Sequence, residues 1–204
     1  MSLPLNEDFK ILRNAMSERR YRHTLGVREC ALRLAQIFMP EACLEIEAAA
    51  MLHDIAKEKP KDELLLAIQK GEWQPPIEDL SSEALLHAYA APYYIRRDFS
   101  QYATDSVLRA VYYHTVGRPE MTLPEKIVFL SDFIEPTRTY SACCEVRDWF
   151  FSELMTTNNR EALLERALLR VLDFTVSFLI REEMYISPSS IHARNSILTT
   201  LSQC

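Results

Sequence analysis

Apolar residues recur at three- and four-residue spacing along nearly the whole chain, and no segment sustains two-residue alternation. That period predicts an all-α protein. A short amphipathic helix is expected over residues 8–16, then a longer one opened by Ser17 as N-cap and running to about Phe38, ahead of Pro40. A third is expected over 41–56, and a fourth from Pro60 to near Gly71. The paired prolines of EWQPPIEDL make 72–80 the longest irregular stretch. Further helices are expected from Ser82, over 104–115, and from Thr122, where Glu125 supplies capping-box spacing and Pro124 suits a first turn. Glu135-Pro136 ends that helix. Asn158 with Glu161 repeats the capping spacing and opens the longest helix, to about Met184, and Ser187-Pro188 breaks it before a last short one.

Composition narrows the function. Three glycines in 204 residues, against an average near ~7%, exclude the glycine-rich loops that cradle phosphates in many nucleotide-binding proteins. With 48% hydrophobic and 25% charged residues the chain reads as an ordinary globular protein. A net charge of −6 supplies no field that would draw in nucleic acid or an anionic bilayer, so an anionic substrate needs a local cluster of positive groups. Cys30, Cys43, Cys143, Cys144 and Cys204 are odd in number and fit no metal spacing, which suits a reducing cytoplasm. The start MSLPLNEDFK has no secretory pattern, and no apolar run approaches the ~18 residues of a membrane span. The expectation is a protein neither secreted nor inserted.

The candidate chemistry begins at His53-Asp54, at the end of the alanine-rich apolar run AAAMLHDIAK. A carboxylate in such a run is costly to desolvate unless a cation neutralises it, and a metal ion would do so. Neighbours on a helix point about 100° apart, so the pair shares one ion only beside the helix, with other ligands from other helices. His23, and Asp132 set among Phe129, Leu130, Phe133 and Ile134, are the candidates. Such a mixed imidazole and carboxylate set suits catalytic iron, manganese or zinc, and spacing alone does not choose among them. His87 and His114 could hold a second ion or contact a phosphate. The ordinary alternative for each of these histidines is a hydrogen-bonded core residue, and His192, in the polar stretch SPSSIHARN, is read as structural. Lys57, one turn after His53, can bring its ammonium to the same mouth, unless it is simply solvated with Lys59 and Lys61. Arg118, Arg138 and Arg194 stand apart from charge runs and can supply the positive potential a polyphosphate needs. Val171, Phe174, Phe178 and Leu179 form an apolar stripe that is core or, in part, the wall of a nucleobase site.

The ordered set His23, His53-Asp54, Asp132 resembles the signature of the HD-domain metal-dependent phosphohydrolases. The strings RHTLGV (22–27), MLHDIAK (51–57), YHTVGRPEM (113–121), EKIVFLSDFIEPTR (125–138) and ARN (193–195) narrow the resemblance to the YqeK family, over about residues 20–195. The resemblance implies a single HD-type helical bundle over 1–204, with its core at about 17–140 and the helices of 141–204 packed on it. It also implies metal-activated hydrolysis of symmetrical dinucleoside polyphosphates, diadenosine tetraphosphate giving two ADP, with one or two divalent ions, iron first among them. His23, His53, Asp54 and Asp132 would hold metal and His87 and His114 would complete the phosphate or second-metal side. Asp54 and Lys57 would serve catalysis, and Arg20, Lys57, Thr115 and Arg138 would contact the nucleotide. Ala88 stands where the family usually has glycine. A small nucleotide is the expected partner, without nucleic acid or membrane, and a homodimer is the assembly to test. The rival readings are an HD phosphohydrolase for another nucleotide, a nucleotide-binding regulator that does not turn over, and a helical structural protein that holds no metal.

Overall fold

Ser17 caps the first long helix as its position predicts: its backbone is extended (φ −62°, ψ 154°) and its hydroxyl accepts from the Arg20 amide. The computed structural model describes residues 7–202, so Cys204 lies outside the described residues. Among the described residues it holds ten α-helices and no strand, the all-α architecture expected. The helices are α1 (Glu7–Ala15), α2 (Glu18–Phe38), α3 (Cys43–Leu52), α4 (Lys61–Lys70), α5 (Glu83–Asp98), α6 (Asp105–Tyr113), α7 (Leu123–Ile134), α8 (Ser141–Leu154), α9 (Arg160–Arg181) and α10 (Pro188–Leu201). None of them is long and apolar enough to cross a membrane.

α3 carries apolar residues all round and is buried accordingly, with α2, α6 and α7 packed against it. α5 lies between α4 and α6, and α9 contacts α7, α8 and α10. One cluster of buried apolar side chains runs from Phe9 to Ile197. Leu34, Leu52, Ile127 and Leu130 are wholly buried within it, and burial of each contributes about 1.5–3 kcal/mol.

Several boundaries differ from expectation. α3 stops at Leu52 instead of continuing to 56, because Nδ1 of His53 donates to the Ala50 carbonyl (2.7 Å), which a continued helix would give to the Asp54 amide. The chain then tightens into turns closed by three-residue bonds, Ile55 to Leu52 and Lys57 to Asp54. α6 likewise ends at Tyr113, where Nδ1 of His114 donates to Val111 (2.6 Å). Gly117 then turns the chain at φ +68°, a left-handed conformation that suits glycine, and a Cβ there would press on Ala193 at 3.2 Å. The capping box of Thr122 and Glu125 forms as predicted. α9 is capped by Asn159 rather than Asn158, its side chain accepting from Ala162 at 3.0 Å. α10 follows Ser187 as predicted but is 14 residues long, not short. The irregular stretch persists only to Pro76; Ile77–Ser81 forms a 3-10 turn.

That turn holds Asp79, a wholly buried carboxylate bonded by three hydroxyls: Tyr89, Tyr185 (2.8 Å) and Ser187 (2.9 Å). Hydrogen bonds to a buried charge are strong, and their loss would leave the donors unpaired. Asp79→Ala is therefore expected to lower stability by about 3 kcal/mol or more, read from urea unfolding at constant m-value. A loss under about 1 kcal/mol would contradict this account of the cluster.

Candidate metal centre

The turns that end α3 and α6 do more than stop helices. A carbonyl can only accept, so the bonds from His53 to Ala50 and from His114 to Val111 place the proton of each ring on Nδ1. Nε2 of each then presents a lone pair to the space between the helices. His23, in mid-α2, is held the same way by a carboxylate: its Nδ1 lies 3.0 Å from Oε1 of Glu135. Metal-binding imidazoles are commonly oriented by such partners on the far nitrogen.

The inward atoms converge. Nε2 of His23 and of His53 are 3.4 Å apart, and Oδ2 of Asp54 lies 3.4 Å from the second and 3.7 Å from the first. Asp132, from α7, brings Oδ1 to 3.0 Å from His23 and 3.9 Å from His53. The other Asp54 oxygen faces Nε2 of His87 at 3.3 Å and of His114 at 3.8 Å, and these two nitrogens are 3.3 Å apart. Two donor groups result, His23 with His53 and Asp54, and Asp54 with His87 and His114. Nitrogen and oxygen ligands at about 2.0–2.2 Å from one ion stand roughly 3.0–3.5 Å from each other, so the donors have the chemistry and spacing to hold a divalent ion. Ala88 is buried in α5, and His87 beside it still reaches the cluster.

Electrostatics keeps most of these groups in the ligand form. Burial, then the charges of His53 and His87, push His114 down to about 3, and burial lowers His87 as well. Burial alone would raise Asp54 and Asp132. The neighbouring His53 and His87 outweigh it at Asp54, and Arg138 and His23 outweigh it at Asp132, so both carboxyls lie well below the usual range. Burial also opposes charge on His23, yet its hydrogen bonds to Asp132 and Glu135 prevail and raise it to about 9.

Around the donors stand cations. Nζ of Lys57 lies 3.3 Å from Nδ1 of His87. Arg20 pairs with Asp54, and its Nε is buried without a hydrogen-bond partner. Arg138 pairs with Asp132 at 2.6 Å and also donates from Nε to the Asp132 carbonyl. The hydroxyl of Thr115 is 3.2 Å from Nε2 of His114. The turn after His53-Asp54 is tied to the start of α2 by Glu58, which accepts from the Ser17 amide (2.7 Å) and hydroxyl (2.6 Å).

Thus His23, His53, Asp54, Asp132, His87, His114, Lys57, Arg20, Thr115 and Arg138 come together. Arg118 does not join them: its guanidinium is on Glu125, in the capping box of α7, at 3.0–3.2 Å. Arg194 pairs with Asp173, and His192 is exposed. Glu135 is the member that sequence reasoning treated only as a helix end. The available signal is its position three residues after Asp132, immediately past the last residue of α7.

The family model described as HD domain matches residues 20–137. A protein of Halalkalibacterium halodurans named symmetrical bis(5'-nucleosyl)-tetraphosphatase is 33% identical over 93% of this chain and 94% of its own length. The Bacillus subtilis protein of the same name is 32% identical over 95% of this chain and 97% of its own. A solved structure from Clostridium acetobutylicum, described as a "predicted HD superfamily hydrolase involved in NAD metabolism", covers 98% of this chain and all of its own. It agrees with a TM-score of 0.83 at 29% identity. The histidine-aspartate pair on the turn after α3, with His23 before it and Asp132 after it, falls inside the matched span, and the chain belongs to the HD-domain family.

Proposed function

We propose that this protein is a metal-dependent phosphohydrolase that cleaves symmetrical dinucleoside polyphosphates, converting diadenosine tetraphosphate and water into two ADP. The observation that carries the metal-dependent part is the set of imidazoles tied at Nδ1 and turned onto shared carboxylates. The substrate class is supported by full-length relatives that bear the tetraphosphatase name.

His23, His53, Asp54 and Asp132 would hold the ion, and His87 and His114 with Asp54 form the second donor group. When bound, the ion supplies Lewis acidity and a nucleophilic water at neutral pH. The chain's own residues do the rest. Lys57, beside His87, sets an ammonium where charge gathers on phosphate oxygens as the central P–O–P bridge breaks. Arg138 and Arg20 bring guanidinium forks that match phosphate oxygens, and the unpartnered Nε of Arg20 is a donor left over for such a contact. Thr115 adds a hydroxyl donor at the same edge. Burial lowers Lys57 from its ordinary value, with Asp54 and Asp132 opposing that shift.

Iron as the ion, the cytoplasm as the compartment, a single domain over 1–204 and a homodimer as the assembly complete the reading. Protein purified without chelator should contain iron by elemental analysis and run as a dimer in light scattering. It should convert diadenosine tetraphosphate to ADP alone. Release of ATP with AMP would overturn the proposed cleavage site, and tight ADP binding without turnover would favour a nucleotide-binding regulator.

A further inference from the structure

His23 differs from the other two tied imidazoles. His53 and His114 sit at helix ends and borrow a carbonyl three residues back, whereas His23 lies inside α2, where carbonyls serve the helix ladder. Its Nδ1 acceptor must come from elsewhere, and it comes from Glu135, just past α7. Glu135 is wholly buried, and Thr137 holds both of its oxygens, the amide donating to Oε2 and the hydroxyl to Oε1, each at 2.6 Å. The acceptor is therefore held by Thr137 independently of its contact with His23.

The space for that carboxylate is made by Gly26, three residues after His23 on the same side of α2. A Cβ at position 26 would stand 2.3 Å from Oε2 of Glu135 and 3.1 Å from its Cδ. No positive φ calls for glycine there, since Gly117 is the described glycine with that conformation. A glycine inside a helix costs about 1 kcal/mol relative to alanine, so α2 gives up stability at the point where the carboxylate needs room.

We infer that Glu135, given its room by Gly26 and its orientation by Thr137, is a positioning residue that fixes the ring of His23 for metal binding. This inference rests on the metal-centre reading above. Loss of such an outer partner typically weakens metal binding by about 10–100-fold.

The test is Mn2+ affinity, measured by calorimetry on full-length, chelator-treated wild type, Glu135→Ala, Glu135→Gln, Gly26→Ala and the Gly26→Ala/Glu135→Ala double variant. Metal-free melting curves check that each is folded. Glu135→Ala should bind Mn2+ about 10–100-fold more weakly, and Gly26→Ala should lose a comparable factor by pushing the carboxylate aside. Glu135→Gln keeps an oxygen acceptor for Nδ1 but turns its NH2 toward the Thr137 amide that now donates to Oε2, so it should bind Mn2+ more tightly than Glu135→Ala and more weakly than wild type. The double variant should be no weaker than Glu135→Ala, because the added methyl then meets only Cγ2 of Thr137 at 3.5 Å, an ordinary van der Waals contact. Wild-type affinity in both Glu135 variants, or losses that multiply in the double variant, would overturn the inference while leaving the metal reading intact. A wild type that takes up no Mn2+ would overturn the metal reading and the inference together. If Glu135→Ala does not fold, the Gly26→Ala and Glu135→Gln results decide.

Discussion

Asp54→Ala is expected to abolish both metal content and turnover of diadenosine tetraphosphate. Asp54 belongs to both donor groups, with one oxygen toward His23 and His53 and the other toward His87 and His114. No other side chain in the cluster has that double position. Without it Arg20 also loses its carboxylate partner, and its charge is left beside the remaining imidazoles. Activity should fall by roughly a thousandfold or more, about 4 kcal/mol of barrier at 1.36 kcal/mol per tenfold. Elemental analysis and the rate of ADP formation check the two halves separately. A metal-loaded Asp54→Ala variant with full activity would remove this cluster from the reaction altogether.

The second large effect is expected at Lys57. Its ammonium touches His87 but belongs to neither donor group, so Lys57→Ala should keep the metal of the wild type and lose rate. Removing one preorganised charge from a transition state of this kind costs on the order of a hundredfold in kcat. Lys57→Arg should not restore it fully, because a planar fork does not replace a compact ammonium at the same distance. Steady-state kinetics alongside metal analysis decide the case. An unchanged kcat with a raised KM would move Lys57 from the chemistry to uniform substrate binding.

What the chain discloses before folding depends on whether a signal is local. Ser17, the Thr122 and Glu125 pair and Ser187-Pro188 mark helix starts because capping needs only neighbours, and all three operate as read. Asp54 and Asp132 stand out because a carboxylate in an apolar run is costly wherever that run packs. The end of α3 is not legible in that way: alanines favour continuation, and the bond that stops the helix comes from a side chain whose proton position depends on its surroundings. Asn159 displaces Asn158 as the cap although both have suitable side chains, and α8 opens after Tyr140, an N-cap residue with no side-chain capping bond. Arg118 looks like a phosphate ligand from its isolation in sequence, yet a buried Glu125 seven residues on claims it. Glu135 escapes notice because its partner lies 112 positions away.

The buried Asp79 carboxylate in the 3-10 turn before α5, with its three hydroxyl donors, bears on how the chain acquires its fold. Two of the three donors to Asp79 come from Tyr185 and Ser187, 106 and 108 positions downstream. Closing loops of that length is entropically unfavourable until the intervening helices have gathered, so this link forms late. A nascent polypeptide emerging from the ribosome cannot complete this anchor at the root of the His87 helix until Tyr185 and Ser187 have been made.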